Sequence, residues 1–345
     1  MNIHVNYTVY KRFCQWLFRV FRGPFPGFLR LFGIKLQFLK KFVCGVYTGR
    51  LSWYNVSESI SKEAPMSVDF LFSDLHVHTN KSLCAPRDTL PASYIPCCKD
   101  EGISLIGISD HVYPEDMLAQ YGYPEDKRVG RLLDLRPVLR EAEEQSGIRY
   151  LLGCEIDYFD CVGYPYIRPE ESDGFDYVLF ASSHILNYPH MYTAYDLNSP
   201  DVLRKLTIER FVAACRLDYP VPMGICHPLY PICSPHQAEI IDGISDATLK
   251  ELFSMAAEKH ISIEIHACLF RKDTPHNEYG LSDHYLRILA AARDCGCKFH
   301  MGSDAHAPAA FVGSHEKLRK AAELLGLTEE HIWDVAKGIL PAVRG

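Results

Sequence analysis

The first 50 residues contain no Asp or Glu, yet hold nine Lys or Arg (Lys11, Arg12, Arg19, Arg22, Arg30, Lys35, Lys40, Lys41 and Arg50). The remainder therefore carries 27 bases against 43 acids, a net of −16. Such an acidic body argues against long nucleic acid gripped over a broad basic face, and suits a protein that concentrates cations. No uninterrupted apolar run in the basic stretch approaches the ~20 residues of a membrane span. The 13 cysteines are odd in number and irregular in spacing, and contain no Cys-x-x-Cys pair. No segment has the charged, apolar, small-residue order of a secretory leader. These absences fit a reduced, cytoplasmic setting better than a disulfide framework. There is no internal repeat and no low-complexity segment.

Residues 1–65 differ from all that follow. Phe13–Tyr47 mixes aromatics with Arg and Lys around Pro24 and Pro26. Three readings fit: a basic, aromatic segment that contacts a membrane surface, a disordered leader, or an upstream extension of a chain whose start is Met66. Met66 directly precedes the first strand-like run, which favours the last. The size of the native protein on a blot decides, because a product near full length rules out a start at Met66. Residues 66–345 are expected to form one domain.

From Met66 onward, seven short apolar runs each end in His, Asp or Glu. They are Val68–His78, Ser104–His111, Tyr150–Asp157, Tyr177–His184, Met223–His227, Ile261–His266 and Lys298–His306. Helix-like stretches separate them. Asp246–His260 places Leu249, Leu252, Phe253, Ala256 and His260 at helical spacing, with Ser245 or Asp246 as N-cap. Asp283–Cys295 does the same through Tyr285, Ile288, Leu289 and Ala292. Leu132–Gln145 and Val202–Cys215 also read as helices. Strand, helix, strand, repeated, implies βαβ units and parallel strands. Seven regular units fit a closed or distorted α/β barrel, in which functional side chains lie at the C-terminal strand ends.

Each polar ending has an ordinary alternative. His76 and His78 point to one side of a strand and can grip one metal, but a lone His-x-His is common. Asp110, beside His111, is equally a helix cap. Glu155 lies in an apolar run, where an ionised carboxylate is costly unless paired or metal-bound. Asp157 shares its face and could support it, although a loop start is the favoured reading there. His184 and His227, taken singly, are more often satisfied core or loop histidines. Asp304 and His306 again share a face. One such ending per strand is not plausible by accident. Leaving out His266, eight candidates remain: His76, His78, His111, Glu155, His184, His227, Asp304 and His306. One metal needs three or four protein ligands, so eight imply two or three metals, with Glu155 the natural bridge. Close-set metals suit phosphoester hydrolysis.

The motifs Asp-Leu-His76-Val-His78-Thr, Ser-Asp110-His111, Gly-Cys-Glu155-Ile-Asp, Ser-His184, Cys-His227-Pro and Gly-Ser-Asp304-Ala-His306 resemble the series of the polymerase-and-histidinol-phosphatase (PHP) family. The resemblance runs from about Ser67 to about Gly313. Glu264-Ile-His266-Ala-Cys-Leu-Phe-Arg271-Lys272 is most similar to the corresponding histidinol-phosphatase segment. The resemblance implies a distorted seven-stranded (β/α) barrel with a trinuclear site of zinc, iron or manganese at the C-terminal ends of the strands. By carry-over, His76, His78, Glu155 and Asp304 hold one metal. Glu155, His184 and His227 hold a second. His111, His306 and a loop ligand hold the third. The usual loop His is Cys84 here; its thiolate either gives the third site softer character or leaves it weaker or lost. The usual Asn is His266, which either adds a ligand or alters substrate contact.

The expected activity is hydrolysis of a small phosphomonoester, by in-line attack of a hydroxide bridging two metals. Asp304, His306 and Arg271 are the expected catalytic residues, with Arg271 binding a phosphoryl oxygen by a forked contact. Tyr113, Tyr188, Tyr192 and Tyr195 are candidates to wall the pocket. A phosphodiesterase or nuclease of the same family acting on nucleotides or short oligonucleotides is the alternative. A non-catalytic metal-binding module is the third reading.

Overall fold

The computed structural model describes residues 70–112, 129–157, 165–187, 189–270 and 276–341. The leader, Met66, Tyr113, Tyr188 and Arg271 lie outside the described residues. The strands are β1 (Ser73–Val77), β2 (Leu105–Ile108), β3 (Arg149–Ile156), β4 (Tyr177–Phe180), β5 (Met223–Ile225), β6 (Ser262–His266) and β7 (Phe299–Gly302). They are hydrogen-bonded in sequence order, and every neighbouring pair is parallel. Parallel neighbours need a long crossover, which the intervening helical segments supply. Their continuous burial explains the near-uninterrupted apolar runs in the sequence; β2 and β4 are buried at every position.

The sheet curls until β7 returns to β1. The Asp304 amide donates to the His76 carbonyl (2.8 Å) and the His78 amide to the Ala305 carbonyl (2.9 Å). Asp74 reinforces this seam. Its Oδ1 accepts from the amides of His76 (3.0 Å) and Ser303 (3.2 Å), and its Oδ2 pairs with His315 Nε2 at 2.9 Å. The result is a nearly closed, distorted (β/α) barrel of seven strands, as expected.

The helices form where periodicity places them, with informative shifts. Pro200–Cys215 begins two residues before Val202. Proline fits the first helical position, and Ser199 Oγ caps by accepting from the Val202 amide. Ser245, rather than Asp246, caps Asp246–Glu258 by accepting from the Thr248 amide at 3.1 Å. That helix stops short of His260, which is exposed and has φ 55°. The expected Leu132–Gln145 helix is instead two pieces, Val129–Leu133 and Leu135–Ser146. Pro137 explains the break, since its ring clashes with the carbonyl four residues back, at Leu133, and it has no amide to bond there. Among the described residues, no helix is long and apolar enough to cross a membrane.

Tyr177 fills the barrel interior and donates its hydroxyl to the Leu75 carbonyl at 2.6 Å. Gly107 and Gly153 leave room for it, because a Cβ on either would overlap the Tyr177 side chain. Gly153→Ala is therefore expected to cost about 1–3 kcal/mol through overpacking. The check is a lower denaturant midpoint with an unchanged slope.

Candidate metal centre

The polar residues converge where the sequence places them. His76 is the penultimate residue of β1 and His78 directly follows the strand; both are buried, and their Nε2 atoms are 3.1 Å apart. Glu155 sits on β3, 1% exposed, between two groups of imidazoles. Its Oε2 faces His111 Nδ1 (2.9 Å), His76 Nε2 (3.4 Å) and His78 Nε2 (3.4 Å). Its Oε1 faces His227 Nε2 (3.1 Å) and His184 Nε2 (3.8 Å). Asp304 Oδ1 lies 3.2 Å from His78 Nε2 and 3.6 Å from His76 Nε2. His306 stacks on His78 with ring centroids 4.2 Å apart. All eight expected residues therefore meet at one end of the barrel. Arg271 lies outside the described residues, so the structure places none of its contacts. Tyr192 is buried against Ile185 and Leu203 in a satellite cluster, and Tyr195 is exposed.

A shared pattern orients the imidazoles. His76 Nδ1 bonds Glu264 Oε1 (2.7 Å), His184 Nδ1 bonds Asp157 Oδ1 (2.9 Å), and His306 Nδ1 bonds the Asp304 carbonyl (2.9 Å). Each partner is an acceptor, so each Nδ1 carries the hydrogen. His78 Nδ1 bonds Ser82 Oγ (2.9 Å), whose own hydrogen is committed to Asp110 Oδ1 (2.7 Å). Ser183 Oγ anchors His227 Nδ1 (3.1 Å). In neutral rings this leaves Nε2 lone pairs aimed at the centre. Metal-binding histidines are held by outer partners in this way.

The supporting residues were only partly legible. Asp157 starts the loop after β3, yet it anchors His184 rather than supporting Glu155. Among the described residues, the partners of Asp110 lie in the loop after β1: it accepts from the Thr79 and Ser82 amides and hydroxyls, and so ties that loop down. Glu264 was missed as a functional residue. It is fully buried, bonds His76 and accepts from the His227 amide at 2.6 Å. The signal that singles out Glu155, a carboxylate inside an apolar strand, applies equally to Glu264.

Charge reinforces the geometry. Burial pushes the Glu155 carboxyl up, but His111 and His76 outweigh it and hold the group well below the ordinary carboxylate range. Asp304 is likewise raised by burial and held far down by His76, His266 and His78. Burial and His306 push His78 well down, and burial takes His227 to about 4. His78 and His227 are thus in the neutral form that binds cations. In His76 and His184 burial is outweighed by nearby carboxylates, which raise both, and a bound cation would displace their protons. Cys84 Sγ is 2.9 Å from His306 Nε2. Burial raises its pKa, but hydrogen bonds from His111 and His306 bring it to about 6.

Glu264 gives a pH signature. Burial raises its pKa, but His76 and His266 dominate and hold it at about 2 against an ordinary 4.5. Because the folded value is the lower one, its stabilisation is present above pH 4.5 and is lost as pH falls through 2. Glu264→Gln is expected to lower the stability of the metal-free protein near neutrality by on the order of 3 kcal/mol. Urea midpoints of the two proteins should converge in acid; a gap that stays constant with pH contradicts this.

The donor set fits divalent cations. Glu155 Oε2 makes no hydrogen bond although three imidazole nitrogens lie within 3.4 Å. Among the described residues, ligand atoms cluster within 4.8 Å of one another in His76–Glu155–Cys226–His227, His76–His78–Asp304 and His78–His111–His306. Histidine nitrogen with carboxylate oxygen suits zinc and other first-row metals.

No curated protein sequence matches the chain. Among solved structures, a candidate histidinol phosphatase of Listeria monocytogenes is similar at 13% identity and TM-score 0.52, over 69% of this chain and 96% of that one. The histidinol phosphate phosphatase of Lactococcus lactis, solved with zinc, L-histidinol and phosphate, is similar at 15% identity and TM-score 0.49, over 73% and 94%. The Listeria likeness is one of fold. Residues 74–268, more than half of the sequence, match the PHP domain family. The chain belongs to the PHP domain family.

Proposed function

We propose that this protein is a metal-dependent phosphatase that hydrolyses a small phosphomonoester of the histidinol phosphate class. The observation that carries the reading is Glu155, whose two oxygens divide between His111, His76 and His78 on one side and His184 and His227 on the other. A carboxylate so divided suits a bridge between two cations. In this reading His76, His78, Glu155 and Asp304 would hold one, Glu155, His184 and His227 a second, and His111 and His306, with Cys84 beside them, a third. Bound divalent zinc, manganese or iron would acidify a water molecule and neutralise phosphoryl oxygens.

The chain's own residues supply the rest. Glu264, Asp157, Ser82 and Ser183 fix the imidazole rings, so little reorganisation is needed when substrate arrives. Asp304 and His306 stand at the rim of the centre, where they meet the phosphoryl group, and Arg271 is assigned its non-bridging oxygen. Residues 66–345 are assigned as the catalytic domain, with residues 1–65 outside it. The free state of all ten described cysteines supports a cytoplasmic location.

The test is a substrate panel on metal-loaded protein: histidinol phosphate, an aryl phosphate and a 3′,5′-bisnucleotide. Preferential turnover of the first supports the reading. Preferential turnover of the bisnucleotide favours a phosphodiesterase instead. Two or more bound cations with no turnover on any phosphoester reduce the protein to a metal-binding module.

A further inference from the structure

His266 is nearly fully buried among the candidate ligands, and its Nε2 belongs to a fourth cluster with His76, His227 and Glu264. By composition alone that cluster resembles another cation site. The hydrogen bonds contradict this. His76, His78 and His184 present Nδ1 to an acceptor, which in a neutral ring leaves Nε2 bare. His266 does the reverse, because its Nδ1 accepts from the backbone amide of Cys268 at 2.9 Å. A backbone amide can only donate. An Nδ1 that accepts carries no hydrogen, so the ring is the neutral tautomer with its hydrogen on Nε2.

His266 Nε2 makes no hydrogen bond of normal geometry in the structure, yet a buried N–H needs an acceptor, and two carboxylates lie within 4 Å of it. Asp304 Oδ2 is 3.5 Å away and Glu264 Oε2 is 3.9 Å away. Glu264 is already engaged, Oε1 with His76 Nδ1 and Oε2 with the His227 amide. Asp304 Oδ2 remains. Asp304 Oδ1 points the other way, toward His78 and His76. The Asp304 backbone has φ 54°, a left-handed conformation that a short polar side chain such as Asp tolerates. That conformation sets the carboxylate between the two groups.

We propose that His266 is a positioning residue: a fixed Nε2–H donor that holds Asp304 Oδ2 and leaves Oδ1 free for a cation, and is not itself a cation ligand. The proposal rests on the metal-site reading above. It also removes the fourth cluster from the cation count.

The test uses full-length, nitrogen-15-labelled protein loaded with cadmium-113. The expected spectrum shows His266 with a protonated Nε2, an unprotonated Nδ1 and no cadmium coupling, while His76 and His78 couple to cadmium. Cadmium coupling to His266 Nε2, or loss of its hydrogen on loading, overturns the proposal. If no cation binds at all, the phosphatase reading fails, and the ring-nitrogen pattern still decides the donor assignment.

Two variants extend the test. His266→Phe is expected to weaken cation affinity ~10–100-fold, as loss of an outer partner does. His266→Gln can place an amide N–H near the same point and should stay within about threefold of the parent, given that outer-partner effects track the hydrogen bond. Affinities come from chelator competition, with circular dichroism confirming the fold. A Phe variant that binds as tightly as the parent, or a folded Gln variant as weak as Phe, contradicts the donor role.

Discussion

Replacing His76 with Ala, or Asp304 with Asn, is expected to abolish hydrolysis of a generic aryl phosphate while the barrel remains folded. His76 Nε2 lies within 3.6 Å of His78, Glu155 and Asp304, so its removal takes one corner from the best-defined cluster. Asp304→Asn preserves shape but removes the negative charge that balances a cation. Several kcal/mol of transition-state stabilisation depends on bound metal, so a loss of at least ~10³-fold is expected. The fold should tolerate both changes. His76→Ala leaves Glu264 Oε1 without its ring partner, a defect of about 1–3 kcal/mol, and the Asp74 seam between β1 and β7 stays intact. Steady-state kinetics beside circular dichroism are the check, and full activity in either folded variant contradicts the metal assignment.

Glu155→Ala is expected to have the wider effect, because one side chain serves both imidazole groups. Its loss should reduce the cation content to fewer than one per chain, rather than remove a single cation. The same change takes from His111 its nearest carboxylate and from His76 one of three, leaving His76 with Glu264 and Asp304. Removing one partner of a buried ionic cluster costs about 3–5 kcal/mol, so the metal-free variant should also melt lower. Glu155→Gln separates the two consequences. It keeps the side-chain volume while removing the charge, so it should bind cations as poorly as Ala with a smaller loss of melting temperature. Elemental analysis and thermal melts read the two effects independently. Retention of two or more cations by Glu155→Ala would remove the bridge from this account.

The strands and the eight converging residues were legible because both depend on local chemistry. A parallel strand buried on both faces must be apolar throughout, and a polar residue closing each run must lie at the same end of every strand. Helix ends were less legible, since Pro137 breaks what periodicity alone reads as one helix and Pro200 extends another. The anchoring layer was the least legible. Glu264 carried the same signal as Glu155, but a count of ligands per metal directs attention away from carboxylates that hold rings. Ser82 and Ser183 carry no sequence signal of this role, because a serine becomes an anchor only when a loop brings its hydroxyl to an imidazole. The role of His266 depends on the direction of one backbone amide, which no spacing rule encodes. The sequence therefore offers only an added ligand or an altered substrate contact at His266, and the donor role emerges from the fold.

The most direct measurement of the central claim is metal content and phosphatase activity on one purified sample of the full chain. The account predicts two or three divalent cations per chain, turnover of a phosphomonoester, and loss of that turnover when a chelator removes the cations. A protein with no stoichiometric metal that still hydrolyses phosphomonoesters would contradict it.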